Sequence, residues 1–177
     1  MLVAGATETR TGFGYDIHPL RPGRPLVLGG VSIPFALGLY GHSDGDLICH
    51  AVSDALLGAA GLPDIGTLFP SSDPEFKDAC SLELLKKVLD RIRKKGFMPS
   101  TVDIVISTQV PKLGPWIERI EASLKKTLFN DRPGTLKVKA KSGENLGEIG
   151  HGEAMVCWAI VAIKTAPAFS PGEMTHQ

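Results

Sequence analysis

The chain has little cysteine, no net charge and no long apolar run. Cys49, Cys80 and Cys157 are odd in number and widely spaced, and no C-x-x-C pair occurs among the 177 residues. That argues against a thiolate zinc site and against a disulfide framework. Each cysteine reads as a small core residue in a reducing compartment. Lys and Arg number 19, as do Asp and Glu, so the formal net charge is zero. No global field then favours nucleic acid or an anionic membrane. A phosphate-bearing small ligand needs only local charge and stays open. No apolar stretch approaches the roughly 20 residues of a membrane helix, and the Leu2–Ala4 patch is too short for a secretory signal. Neither an internal repeat nor a low-complexity segment occurs. The expectation is a cytoplasmic protein with one domain over residues 10–165, a flexible leader at 1–9 and a flexible tail at 166–177.

What is present reads as strands interleaved with three helices. Thr9–Asp16 is a first strand, and the short apolar runs around Gly29-Gly30 form a hairpin. A helix then runs to the Gly61 and Pro63 stop signals, with Ser43 as N-cap and Asp46 three residues on. Asp64–Pro74 reads as loop throughout. Ser81 caps a second helix with Leu85, Val88, Leu89 and Ile92 on one face, ended by Gly96. Thr101–Thr108 alternates as a half-buried strand, and Pro115 opens a third helix. Leu136–Lys141 is a strand with a basic face. Gly152–Thr165 is a closing strand, apolar on both faces. Three helices rarely cover both faces of a sheet, so a partner subunit is expected on the second. The fold class is α/β, an α+β sandwich: a mixed sheet with helices on one face and the other packed in a homo-oligomer.

Asp16 and His18 are two apart in an extended segment, so both point to one face. His50 lies on the first helix, four residues after Asp46, and those two share a helical face. One carboxylate and two imidazoles with an open position describe a catalytic zinc site. The same residues also suit an ordinary hydrogen-bonded pair beside a core histidine. His42 adds a further polar group, and a shared site accounts for all of them. Asp64-Ile-Gly66 is either a turn or a grip on polyol hydroxyls. Thr108 to Lys112 leaves a strand for a helix, where a lysine and free amides suit a phosphate, although lone lysines are commonly solvated. Glu144, after the strand ending at Lys141, suits a magnesium ion bridging phosphates.

The ordered series is Gly-Tyr-Asp-Ile-His18, Leu-Gly-Gly-Val31, Gly-His-Ser-Asp-Gly-Asp46, His50, Asp-Ala-Leu-Leu-Gly-Ala-Ala60, Asp-Ile-Gly66, Leu-Phe-Pro70, Asp73-Pro, Pro-Lys112 and Gly-Glu-Asn-Leu-Gly147. From Arg10 to Lys164 it resembles the 2-C-methyl-D-erythritol 2,4-cyclodiphosphate synthase family. The resemblance implies a homotrimer with active sites between subunits. It implies cyclisation of 4-diphosphocytidyl-2-C-methyl-D-erythritol 2-phosphate with release of CMP, in the non-mevalonate isoprenoid pathway. Asp16, His18 and His50 would then hold Zn2+, and Glu144 a second divalent ion, Mg2+ or Mn2+. Catalytic roles would fall to those four with His42 and Ser142. The likeness puts His42 and Ser43 near the methylerythritol phosphate, Asp64 and Gly66 at the polyol, and Phe69 and Asp73 on another substrate-contacting loop. Thr108, Lys112, Ala140, Lys141 and Ser142 match the surroundings of the cytidine phosphates.

Three departures stand out. Lys141-Ser-Gly-Glu144 replaces the Thr-Thr-Thr-Glu of many members, so Ser142 keeps a hydroxyl and Lys141 adds charge. Ser71-Ser72 lacks one carboxylate of the usual mobile loop. Glu148 and His151, the latter a candidate substrate contact, stand where an aromatic and an arginine are common, so an axial isoprenoid site is not implied. Other classes compatible with the triad are a zinc-dependent phosphate-ester hydrolase and an isoprenoid-diphosphate-binding trimer.

Overall fold

Residues 7–166 are described by the structure, a computed structural model. The leader and tail anticipated at the two ends fall almost wholly outside this stretch. In chain order come β1 (Thr9–Arg21), β2 (Leu26–Leu28), β3 (Val31–Ile33), β4 (Gly38–Leu39), α1 (Leu47–Ala59), α2 (Ile65–Leu68) and α3 (Ser81–Lys94). They are followed by β5 (Phe97–Ser107), α4 (Ile117–Phe129), β6 (Thr135–Lys141), α5 (Gly147–Gly150) and β7 (Ala154–Thr165). The main sheet runs β4-β1-β7-β5-β6 and is antiparallel except for β5 beside β6. The hairpin forms at Gly29-Gly30, with β2 and β3 as a separate ribbon.

Helices α1, α3 and α4 cover one face. Against them lie Val102, Ile104 and Ile106 of β5 and Cys157, Ala159, Val161 and Ile163 of β7, all buried. The opposite face carries Phe13 at 62%, Tyr15 at 47%, Ile17 at 44% and Ile160 at 51% exposure. Trp158 lies among them, 6.2 Å from the Tyr15 ring centroid. The alternation along β7 thus puts one apolar row into the core and leaves the other buried at Ala154 and Val156 but open at Ile160.

Several local expectations are corrected. Helix α1 is capped by Asp46, not Ser43: the Asp46 carboxylate accepts the Ile48 and Cys49 N–H groups. Gly45, at a φ of +76°, turns the chain between Ser43 and that cap. Ser81 is not a cap but the first residue of α3; Cys80 sits at the cap position and offers no side-chain bond. Asp64–Pro74 is not loop throughout, because Asp64 caps the single turn of α2 and Asp73 caps a 3₁₀ turn at Pro74–Phe76. Strand β1 continues past Asp16 to Arg21, its register with β7 running from Thr9 to Pro19. The third helix begins at Ile117, after a 3₁₀ turn containing Pro115.

Candidate active site

Two missing side chains bring α1 onto β1. A Cβ on Gly12 would sit 1.9 Å from the Ala55 carbonyl oxygen, and one on Gly14 would sit 1.9 Å from that of Ala51. Both positions point to the helical face, as Asp16 and His18 do. Removing side chains two and four residues before Asp16 therefore lets the helix approach until His50 meets the carboxylate. His50 Nδ1 lies 2.9 Å from Asp16 Oδ2, and His18 Nε2 lies 3.1 Å from the same oxygen. The two imidazole nitrogens are 3.2 Å apart. One donor atom from each residue falls within 4.8 Å of the others. One carboxylate and two imidazole donors crowded around one point fit a divalent cation.

Burial raises the Asp16 pKa, but hydrogen bonds from His18 and His50 outweigh it and hold the carboxyl well below its usual range. For His50 burial works downward, and the Asp16 hydrogen bond reverses it, so its pKa is raised. Asp46, expected to look at the same site, does not. Its carboxylate is fully buried and spent on Gly29 N at 2.9 Å, Gly30 N at 2.6 Å and the first turn of α1. It joins the hairpin to the helix that carries His50.

The triad opens on a cavity of about 150 Å³ whose walls include His42, Ser43, Ile65, Gly66 and Phe69. Arg24 ties down the segment that carries His42 and Ser43, donating to Gly41 O at 2.6 Å and to Ser43 O. Asp64 stands at the edge of a neighbouring cavity of about 330 Å³ with Asp54, Phe13 and Tyr15. Its Oδ1 accepts from Thr67 N at 2.7 Å, and hydrogen bonding from the Thr67 side chain and then its backbone lowers its pKa. Asp54 Oδ1 accepts from Ile65 N at 2.8 Å and ties this loop to α1. Asp73 caps its own turn and lines neither cavity.

The other candidates gather at the far edge of the sheet. Thr108 N donates to Lys141 O at 3.0 Å, and Ser107 Oγ to Ser142 O at 3.3 Å. Ser142 Oγ donates to Glu144, and Lys112, Lys141, Glu144 and His151 are exposed. Glu144 and Asn145 have φ of +50° and +60°. Gln109 Nε2 holds that turn through Asn145 Oδ1 at 3.0 Å. In register, Asp16 pairs with Cys157, Cys157 with Ile106, and Ile106 with Ala140. Three strand steps at about 4.8 Å therefore put the two groups about 14 Å apart. A single chain brings Asp16, His18, His42, Ser43, His50 and Gly66 together, and gathers Thr108, Ala140, Lys141, Ser142 and Glu144 elsewhere.

Sequence reasoning missed Ser81, Arg24, Asp54 and Gln109. Capping grammar already explained Ser81, and no local signal marks the others. The Gly-x-Gly alternation ahead of Asp16 was the one readable sign of close helix packing.

A sequence profile described as the YgbB family matches residues 9–164. A relative from Gloeobacter violaceus, named 2-C-methyl-D-erythritol 2,4-cyclodiphosphate synthase, is 50% identical over 92% of this chain and 99% of its own. Among solved structures, the bifunctional IspDF from Campylobacter jejuni is 42% identical with a TM-score of 0.85, over 90% of this chain and 43% of that one. The IspF of Plasmodium falciparum in complex with CDP is 36% identical with a TM-score of 0.77, over 90% and 97%.

Proposed function

The chain belongs to the YgbB family, and we propose on that basis that it converts 4-diphosphocytidyl-2-C-methyl-D-erythritol 2-phosphate to 2-C-methyl-D-erythritol 2,4-cyclodiphosphate and CMP. The reaction serves the non-mevalonate isoprenoid pathway and is a phosphorus–oxygen lyase step. The observation that carries the reading is the convergence of Asp16, His18 and His50 beside a cavity lined by His42 and Ser43.

In this reading an oxygen of the substrate's own 2-phosphate bonds to the β-phosphorus, the bond from that phosphorus to the bridging oxygen breaks, and CMP departs with that oxygen. No covalent enzyme intermediate and no water are consumed, so the protein's part is positioning and charge balance. Asp16, His18 and His50 would hold Zn2+; when bound, the ion draws charge from the diphosphate and fixes its angle. Glu144 would hold Mg2+ or Mn2+, which keeps most of its waters and needs few protein oxygens. His42 and Ser43 bind the methylerythritol phosphate, and Asp64 and Gly66 hold its hydroxyls. Phe69 and Asp73 belong to the loop over the substrate. Thr108, Lys112, Ala140, Lys141 and Ser142 bind the cytidine phosphates, Lys112 and Lys141 as point charges. His151 is the outermost of these contacts.

The two groups act on one substrate if they come from neighbouring copies of the chain. The 14 Å gap and the open apolar face of β1 and β7 both support a homotrimer with sites between subunits. Residues 10–165 form its single domain, and the setting is cytoplasmic. Among the described residues no helix is long and apolar enough to cross a membrane.

The test is incubation of metal-replete protein with the cytidine diphosphate substrate, following CMP and the phosphorus NMR spectrum. Two coupled signals of a cyclic diphosphate, dependent on divalent metal, are expected. CMP without the ring would favour the hydrolase, and no turnover would favour a binding trimer.

A further inference from the structure

His50 turns Nδ1 towards Asp16 and His18, and its other nitrogen meets two hydroxyls. His50 Nε2 is 2.9 Å from Ser43 Oγ and 2.9 Å from Ser81 Oγ, and the hydroxyl oxygens are 2.9 Å from each other. Ser81 is 1% exposed and lies 31 residues along the chain from His50, on a different helix. Its own hydroxyl donates to Asp44 Oδ1 at 2.5 Å, and its N–H donates to Asp44 Oδ2 at 3.0 Å. Asp44 thus caps α3 from a distant loop, in place of Cys80, which makes no cap bond.

The direction of this chain follows from proton counting. A carboxylate has no proton to give, so the single hydroxyl proton of Ser81 is committed to Asp44. Ser81 Oγ can then only accept from His50 and Ser43. Ser81 Oγ is thus an acceptor for an Nε2–H of His50, and it fixes the ring so that Nδ1 faces Asp16 and His18. Ser43 fixes no such direction, since it can donate or accept. With Ser81 absent, Ser43 is left to hold Nε2, and the ring is no longer pinned by an acceptor locked in place.

From this geometry we infer that Ser81, locked by Asp44, is the positioning residue that holds the His50 ring in its metal-binding orientation by accepting its Nε2–H. The inference rests on the reading of Asp16, His18 and His50 as a metal site. Second partners of this kind, when removed, lower metal affinity by about 10–100-fold. Ser81 and Asp44 touch neither metal nor substrate in this arrangement; they act through His50.

The test uses the full-length protein, with zinc as the probe. Zinc affinity is measured by competition with a chromophoric chelator, and solvent exchange of the His50 Nε2–H in zinc-loaded protein is followed by NMR. Circular dichroism checks that each variant is folded. The wild type is expected to take up one zinc per chain and to show a slowly exchanging Nε2–H. Ser81→Ala and Asp44→Asn are expected to bind zinc about 10–100-fold more weakly and to exchange that proton faster. Ser81→Thr, which keeps the hydroxyl, should restore both readouts. Should Ser81→Ala fail to fold, Asp44→Asn carries the same comparison with side-chain volume preserved. Wild-type affinity in a folded variant, or weaker binding with unchanged Nε2–H exchange, overturns the role of Ser81 while the metal site stands. No zinc uptake by the wild type overturns both.

Discussion

The two ends of the candidate site are built by different means. At the β1–α1 end the groups are recessed, hydrogen-bonded to one another and fixed by close backbone packing at Gly12 and Gly14. At the β5–β6 end Lys112, Lys141 and Glu144 stand exposed, with Glu144 and Asn145 in left-handed backbone conformations and Gln109 as a brace. The first end is preorganised inside one chain. The second offers hydroxyls, amides and lysines about 14 Å across the sheet from the first. A metal centre demands fixed donors before its ion arrives, whereas flexible phosphate groups can be met by exposed charges.

His50→Ala strikes the preorganised end and should have the largest effect. Zinc uptake and turnover should fall together, turnover by about 10³-fold, as expected for several kcal/mol of lost charge stabilisation. Stoichiometric zinc with full activity in that variant would falsify the ligand assignment. Gly14→Ala tests how that end is assembled. Its Cβ would meet Ala51 O at 1.9 Å, so α1 must move, at about 3 kcal/mol in a denaturant titration with the transition midpoint lowered. A neutral result would mean the helix is not seated by that glycine.

Glu144→Gln addresses the exposed end alone. Zinc content should stay as in the wild type, while magnesium-supported turnover falls about 10–100-fold; an unchanged magnesium titration argues against the role. The smallest effect is expected at Glu121, which braces β6 from α4. Its carboxylate accepts from Val138 N at 3.0 Å and pairs with Lys137 at 2.9 Å. Burial raises its pKa, but the Val138 and Lys137 bonds prevail and lower it. A folded pKa below the unfolded value adds stability above the unfolded value, about 4.3, and that stability is lost as pH falls through the folded one. Glu121→Gln should therefore cost about 1–2 kcal/mol at neutral pH and flatten the acid limb of the stability curve. Parallel acid limbs in the two proteins would show that Glu121 is not the titrating group.

How much could be read ahead of the structure differs between the same two ends. The i, i+2 spacing of Asp16 and His18 and the helical setting of His50 were enough to nominate the triad, because strand alternation is a local rule. The hairpin at Gly29-Gly30, the buried stripe of α3 and the doubly apolar β7 were legible for the same reason. Ser43 and Ser81 were misread as caps, since a serine ahead of an apolar stripe satisfies the capping rule whether or not its hydroxyl is needed elsewhere. Asp46 took the cap on α1, and Asp44 served α3 from 37 residues away. Nothing in a linear reading ranks those competing acceptors.

Residue order alone therefore indicates the main strands and helices, their apolar faces and the candidate ligands, all of which depend on periodicity over a few residues. The contact of α1 with β1, the direction of the hydrogen bonds around His50 and the separation of Glu144 from Asp16 arise from folding. Each depends on backbone approach or strand order between segments tens of residues apart, and no local propensity encodes such distances.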